Sequence, residues 1–437
     1  MVSAMTTTWS REQVQALVDE GGFYYQNIDL PYGLSTGGTD RSPTARAIFP
    51  DDMSGKTVLD LGCKFGFFCF EALKRGATRA VGVDVDPFSL ERARRVADCL
   101  GLPATFEQFD IEQEPIRERF DYVLCLNLLH HLRNPLTALE RLAAVTDERL
   151  ILESATMGRH DRRRLRLSPF ETVLLRRRPI LYASRNGTSG KRNVQKFFVT
   201  PSALENLLRY QSNAFARVDK QPSDHKNRYI SVAHRRRIGE LVVVAGITGS
   251  GSAELAGQLA RGEAPELAAL AETGGGAGWV HVDANDLAEF AEPEAPRLIL
   301  HYDILRPHRR SAKTHARDEV MDVLGCARRV TFVTLWRPPE PLRRRFKAHP
   351  VSLSTRAGWF FEGRRRRKLL REFKDPEELA GHYRRWFEFT AATRARHFLV
   401  SPDAEPRLAS LEEWRRSPQG AAAAGPGRDR ESLLAGS

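Results

Sequence analysis

The stretch Val58-Leu59-Asp60-Leu61-Gly62-Cys63-Lys64-Phe65-Gly66 decides the fold. The apolar run Thr57–Leu61 reads as a buried strand closed by an acid. Glycines four apart then form a loop that feeds an apolar helix reaching about Lys74. Small residues let a ligand approach the backbone, and the N-terminus of the following helix favours a carboxylate or a phosphate. The GxGxxG spacing of nicotinamide-type dinucleotide sites is not present.

The pattern repeats outward from this loop. Strands are expected at Ala80–Asp84, Thr105–Phe109, Tyr122–Leu126 and Leu150–Leu152. Asp86-Pro87 opens a helix that Gly101 closes, and Asn134-Pro135 opens another that runs to about Val145. Strands alternating with helices imply a mostly parallel, doubly wound α/β sheet. Asp84 ends the next strand 24 residues after Asp60, Asp110 ends the third, and Asn127-Leu-Leu-His130-His131 follows the fourth. All of these polar groups fall on the carboxyl edge, where open α/β sheets bind ligands. Upstream, Ser10 and Gln13 form a capping-box arrangement for an opening helix that Gly21-Gly22 ends, and Leu30–Gly38 reads as loop.

In order and spacing, VLDLGCKFG, GVD, QFD and FDYVLCLNLLHHLRNPLTALERL resemble the class I S-adenosylmethionine (SAM) dependent methyltransferases, over about residues 20–235. The resemblance implies that Asp60 and Gly62 hold the methionine end of SAM, Asp84 the ribose and Asp110 the adenine amino group. Cys63, Lys64, Gly66 and Asn127 complete the expected cofactor set. Lys64 departs from the family, which usually has glycine there; its side chain must point away or meet the ligand's carboxylate. Within the class, Leu129-His130-His131-Leu-Arg-Asn-Pro-Leu and Arg192-Asn193-Val194…Thr200-Pro201-Ser202-Ala203-Leu204 are similar to the tRNA wobble-uridine carboxymethyltransferase-like group. His130 replaces that group's tyrosine and no upstream lysine matches, so ordinary SAM is the expected cofactor.

Methyl transfer chiefly needs alignment of donor and acceptor, and an oxygen acceptor also gains from a general base. His131 and His130 beside the donor edge are the candidates, and Arg192 is the candidate grip on an acidic acceptor. The net charge is +12, and twelve Lys/Arg against two acids between Arg159 and Lys196 hold most of it, +10 locally. That balance suits an anionic small molecule or glycan, and an RNA-modifying methyltransferase is the alternative. Hydrophobic residues at 41% and charged residues at 28% exclude a disordered chain, and no apolar run approaches the ~20 residues of a membrane span. Five cysteines without a CxxC pair argue against a disulfide framework or a zinc site. With no secretory h-region, they place the chain in the cytoplasm.

After Arg235-Arg236-Arg237 a second α/β pattern begins with the buried strand Leu241–Ala245 and continues through strands at Leu298–Tyr302, Val330–Leu335 and His397–Val400. Gly246-Ile-Thr-Gly249-Ser250-Gly251-Ser252-Ala253 resembles a P-loop, with Ser252 at the lysine position and Ala253 at the Mg²⁺-binding position. Gly249, Ser250, Gly251 and Ser252 are the expected phosphate-binding residues of a degenerate, kinase- or sulfotransferase-like domain. The expected organisation is an N-terminal helix and lid segment (1–50), a Rossmann-like methyltransferase sheet (51–237), a P-loop-like α/β domain (238–405) and a C-terminal segment (406–437), disordered from about 417. The expected activity is O-methylation of a polar biosynthetic intermediate such as a sugar, glycan or metabolite. The alternatives are a bifunctional enzyme with a C-terminal transferase and a non-catalytic SAM- or nucleotide-binding protein.

Overall fold

Ser10 caps the first helix, α1 (Arg11–Asp19), its hydroxyl accepting from the Gln13 amide while the Gln13 side chain accepts from the Ser10 amide. In this computed structural model the described residues are 7–155, 166–183, 197–211, 213–225, 227–263, 278–309, 314–348, 376–401 and 409–410. The chain divides into two compact units, Met1–Arg235 and Arg236–Ser437.

The first unit is built on a seven-stranded sheet. Its strands are β1 (Thr57–Leu61), β2 (Arg79–Asp84), β3 (Thr105–Gln108), β4 (Phe120–Leu126), β5 (Thr146–Ala155), β6 (Phe215–Pro222) and β7 (Arg228–Arg235). They lie in the order β6-β7-β5-β4-β1-β2-β3. β1 to β5 are parallel, and β7 runs antiparallel to β5 and β6. The chain winds outward from β1 through β2 to β3, then returns to the other side of β1 at β4. The topological switch point therefore lies between β1 and β4, where a doubly wound sheet opens a crevice for ligands. The helices α2 (Ser42–Ile48), α3 (Phe67–Lys74), α4 (Pro87–Leu100) and α5 (Pro135–Val145) accompany these strands. Phe65, Phe68, Phe70, Leu90, Val96 and Phe106 are among the buried residues of the core.

Two details of α4 and the glycine loop follow from local chemistry. Asp86 sits at the N-cap of α4, yet its carboxylate accepts from Ser89 Oγ (2.6 Å) and Lys64 Nζ (3.1 Å) instead of a backbone amide. Gly66 has φ +87°, and a Cβ there would lie 2.6 Å from Phe106 Cζ and 2.9 Å from Phe70 Cζ. Only glycine fits.

Beyond β5, the described chain contains α6 (Pro169–Arg177), capped reciprocally by Ser168 and Glu171, the antiparallel pair Leu181–Ala183 with Phe197–Val199, and α7 (Pro201–Glu205). This short helix is continued by a π-helical turn, Asn206–Gln211. Arg192, Arg162–Arg164, Arg364–Arg367 and the tail from 417 lie outside the described residues.

The second unit carries a six-stranded sheet of β8 (Arg237–Gly246), β9 (Val280–Asp283), β10 (Glu294–Asp303), β11 (Ala327–Leu335), β12 (Arg396–Val400) and β13 (Ala409–Ser410). The order is β9-β10-β8-β11-β12-β13, parallel except for the last pair. Its helices α8 (Ser252–Arg261), α9 (Pro339–Ala348) and α10 (Pro376–Ala392) include the fully buried Trp386, stacked on Tyr302 with ring centroids 5.3 Å apart. None of the described helices is long and apolar enough to cross a membrane. All five cysteines are buried free thiols.

Candidate functional site

The carboxyl edge of β1, β2 and β4 gathers the polar groups that the sequence singled out. Asp60 closes β1 almost fully buried, and its Oδ2 has no hydrogen-bond partner among the described residues. Burial, with the Asp84 charge nearby, pushes its carboxyl up to about 7, while Arg41 pulls the other way. Asp84 closes β2 and accepts from the Lys64 amide (Oδ2, 3.1 Å) and the Asp86 amide (Oδ1, 3.0 Å). Each of its oxygens keeps a lone pair for a further donor.

Lys64 answers the question its position raises. It takes the left-handed conformation (φ +53°) that glycine would adopt there, and its ammonium reaches Asp86 Oδ2 and Ser89 Oγ (2.8 Å) at the start of α4. The side chain is anchored at the helix start, with only its backbone in the loop. Cys63 also contributes backbone: its sulfur packs toward Gly82, and burial raises its thiol well above the ordinary range. Gly62 (φ +77°) leaves room beside Leu128, where a Cβ would come within 3.2 Å of Leu128 Cδ2. Asp110 accepts from the Glu112 amide (2.9 Å) and Gln113 Nε2 (3.0 Å), so both of its oxygens already brace the turn after β3.

Sequence reasoning missed a buried polar network beside this edge. Glu153, in β5 and wholly buried, pairs with Arg41 (Nη2 to Oε2, 2.6 Å), which is itself 4% exposed. Its carboxylate also accepts from Asn127 Nδ2 and Ser223 Oγ, and Arg41 touches His225. Asn127 is held in the left-handed region (φ +62°) by this contact and by its amide donating to the Glu153 carbonyl (2.8 Å). Gln26, also buried, pins the glycine loop: its Oε1 accepts from the Phe65 amide (3.0 Å) and its Nε2 donates to the Cys63 carbonyl (3.3 Å). The glycine loop is thus clamped from the N-terminal segment.

His130 and His131 lie in the turn after β4 with ring centroids 4.2 Å apart. Burial, together with His131 and Arg228, pushes His130 down to about 3, so it stays neutral at physiological pH and is a weak base. His131 is half-buried beside it.

The arrangement suits a ligand with a cationic amino group and a diol. A buried carboxylate oxygen with no partner among the described residues lies on the strand that leads into the glycine loop, one strand from an acid with free lone pairs. Residues 52–167 match the family model described as a methyltransferase domain. Ribosomal protein L11 methyltransferase of Citrobacter koseri is 33% identical over 135 residues, covering 30% of this chain and 43% of that protein. Its Escherichia coli counterpart is 34% identical over 110 residues, covering 24% and 38%. The chain thus spans less than half the length of these curated relatives. Among solved structures, the N-terminal domain of EvdMO1 with S-adenosylhomocysteine (SAH) and D-fucose is 20% identical, covering 52% of this chain and 98% of that one, with a TM-score of 0.41. Magnesium protoporphyrin IX methyltransferase of Synechocystis PCC 6803 with SAH is 22% identical, covering 42% and 75%, with a TM-score of 0.31. Over residues 52–167 the chain is therefore similar to SAM-dependent methyltransferase domains.

In the second unit, the loop after β8 keeps its expected glycines in the left-handed region, Gly249 at φ +89° and Gly251 at φ +100°. Its hydroxyls are engaged internally. Ser252 Oγ meets His301 Nε2 (3.1 Å), whose Nδ1 meets Asp283 Oδ2 (2.6 Å), and Thr248 donates to Asp303 (2.5 Å). Ser250 is fully buried; its carbonyl accepts from Arg337 Nε (2.6 Å). Arg345, paired with Glu254 (2.5 Å), lies beside Gly251.

Proposed function

We propose that this protein transfers a methyl group from SAM to an oxygen of a small acceptor bearing an acidic group. The observation that carries this reading is the Asp60 carboxylate, buried and unpartnered at the switch point of a methyltransferase sheet. Asp60 and Gly62 would receive the methionine end of SAM, the backbone of Cys63–Gly66 would border it, and Asp84 would take the ribose hydroxyls. Asp110 and Asn127 complete the set. Asp110 would reach the adenine amino group with lone pairs left over from its turn.

SAM, when bound, supplies an electrophilic methyl group on a positively charged sulfur. The chain's task is then to align the acceptor and take its proton. His131 is the proposed base, and neutral His130 packs against it and holds its ring in place. Arg192 stays the proposed grip on the acid group. His131→Ala should lower kcat about 100-fold with SAH affinity unchanged, whereas a kcat within threefold of wild type would remove the base.

The test of the whole reading is a calorimetric titration of SAH into the full-length protein and into Asp84→Ala. Two hydrogen bonds to a charged acceptor are worth about 100-fold or more in affinity. Micromolar binding that falls by this factor supports the reading, and no binding to folded wild type overturns it.

For the second unit we propose a phosphate-bearing ligand at Gly249–Ser252, bound without nucleotide hydrolysis. Ser252 is held by His301 where a lysine would meet the phosphates, the Ala253 side chain offers no oxygen to Mg²⁺, and Arg345, paired with Glu254, stands beside the loop and would exchange that partner for the phosphate. Arg345→Ala should weaken ADP binding about tenfold; unchanged binding, or ADP that does not bind at all, counts against it.

A further inference from the structure

The first unit contains a cavity of about 680 Å³ behind β7, and its lining is overwhelmingly apolar. Leu167 and Leu175 come from around α6, Ile180 from just before the strand that follows and Tyr182 from within it, Phe198 from the strand paired with it, and Tyr229 from β7. Tyr182 and Phe198 stack with ring centroids 4.9 Å apart, and the Tyr229 hydroxyl donates to the Val199 carbonyl (2.5 Å), so the aromatic wall is fixed by its own contacts. Among the described residues, two cations line the cavity. Lys220 is engaged by Glu205 (2.5 Å), whereas Arg228 is half-buried and forms no ion pair among the described residues.

The cavity borders the donor edge. Arg228 and Tyr229 pair in register with Ala155 and Ser154 at the carboxyl end of β5, two residues and one residue past Glu153. The strand Phe197–Val199 packs against the turn that carries His130 and His131, and the Arg228 charge is felt at His130. A pocket of this size holds a drug-sized molecule. Its wall offers few hydrogen-bond partners, so a sugar placed there would leave several hydroxyls desolvated and unpaired, at a cost for each. An apolar body gains from burial against the same wall.

We propose that this cavity is the acceptor subsite and takes an amphiphile: an apolar, ring-bearing body with one acidic group set against Arg228. The inference rests on the methyltransferase reading; it replaces its expected sugar or glycan with a hydrophobic acid, and Arg192 with Arg228 as the grip on the acidic group. Arg228 anchors the acid at the cavity mouth, and the body lies along Tyr182 and Phe198.

Two fluorescent probes with nearly the same body test it on the full-length protein: 1-anilinonaphthalene-8-sulfonate, an anion, and N-phenyl-1-naphthylamine, which has no charge. Both should bind wild type, the anion more tightly. Arg228→Gln should weaken the anion about tenfold and leave the neutral probe within twofold. Ala183→Trp, which adds bulk at an exposed position on the lining, should displace both probes while SAH titrates as in wild type. The cavity assignment is overturned if neither probe binds, if Arg228→Gln weakens both equally, or if Ala183→Trp displaces neither. Wild-type SAH binding is read separately in the same preparations. Its loss with the probe pattern intact overturns the acceptor role through failure of the methyltransferase reading itself, whereas loss of the probe pattern with SAH bound overturns the subsite alone.

Discussion

Arg41→Ala is expected to destabilise the first unit by about 3–5 kcal/mol, one of the largest single-residue effects in this chain. Arg41 and Glu153 are both buried, and their contact is a direct ion pair of 2.6 Å. Removing the guanidinium leaves a buried carboxylate whose remaining side-chain donors among the described residues are neutral, Asn127 Nδ2 and Ser223 Oγ. The arginine also lies 5.6 Å over the Phe68 ring and touches His225, so its loss opens a gap between α2 and the sheet edge. Urea unfolding of the full-length protein, followed through the transition of the first unit, reads the effect. Neutralising the stranded acid separates charge from packing: Arg41→Ala/Glu153→Gln should recover more than half of the loss. A single variant within 1 kcal/mol of wild type would mean that the pair is not a buried ionic contact in solution.

That network also marks the limit of what the sequence disclosed. Asp60, Gly62 and Asp84 could be placed because each sits where an apolar run stops, and the periodicity that defines a strand also locates its end. Lys64 could be flagged but not oriented: the direction of its side chain depends on Asp86 and Ser89, 22 and 25 residues away. Arg41 and Gln26 gave no local signal at all. Arg41 precedes a seven-residue helix without a side-chain cap, and its partner lies 112 residues further on. Gln26 sits in a two-residue strand and acts on a loop 37 to 41 residues away. Contacts of that kind are set by packing between segments, which no window of sequence contains. The edge strand β9 escaped for a related reason. It has four residues, only one of them buried, so no apolar run announces it.

His130 illustrates the converse case, a residue whose position was legible and whose chemistry was not. Its place after β4 follows from the strand, but its burial depends on what closes over it. Once buried, the imidazole resists protonation, which is why the proposed base is its neighbour His131.

Asp60 gives the second large effect, and its sign is set by the same physics. An acid whose folded pKa, about 7, stands above its ordinary 3.8 binds protons more tightly in the folded chain than in the unfolded one. The ligand-free protein should therefore lose stability as pH rises from about 4 to 7, and Asp60→Asn should flatten that slope. Binding runs the other way. The ammonium of SAH needs an ionised Asp60, so affinity should climb about tenfold per pH unit below 7, with close to one proton released per SAH bound, and level off above 7. In Asp60→Asn the pH dependence should vanish, and affinity at pH 8 should drop at least 100-fold, the cost of leaving an ammonium without its buried partner. One substitution thus stabilises the free protein at alkaline pH and disables its ligand site, a pairing expected of a carboxylate kept unpartnered for a ligand. Titrations of SAH between pH 5.5 and 8.5, in two buffers of different ionisation heat, measure both affinity and proton release. A wild-type affinity flat across that range would show that Asp60 is already ionised at pH 5.5. The variant would then be expected to lose affinity equally at every pH.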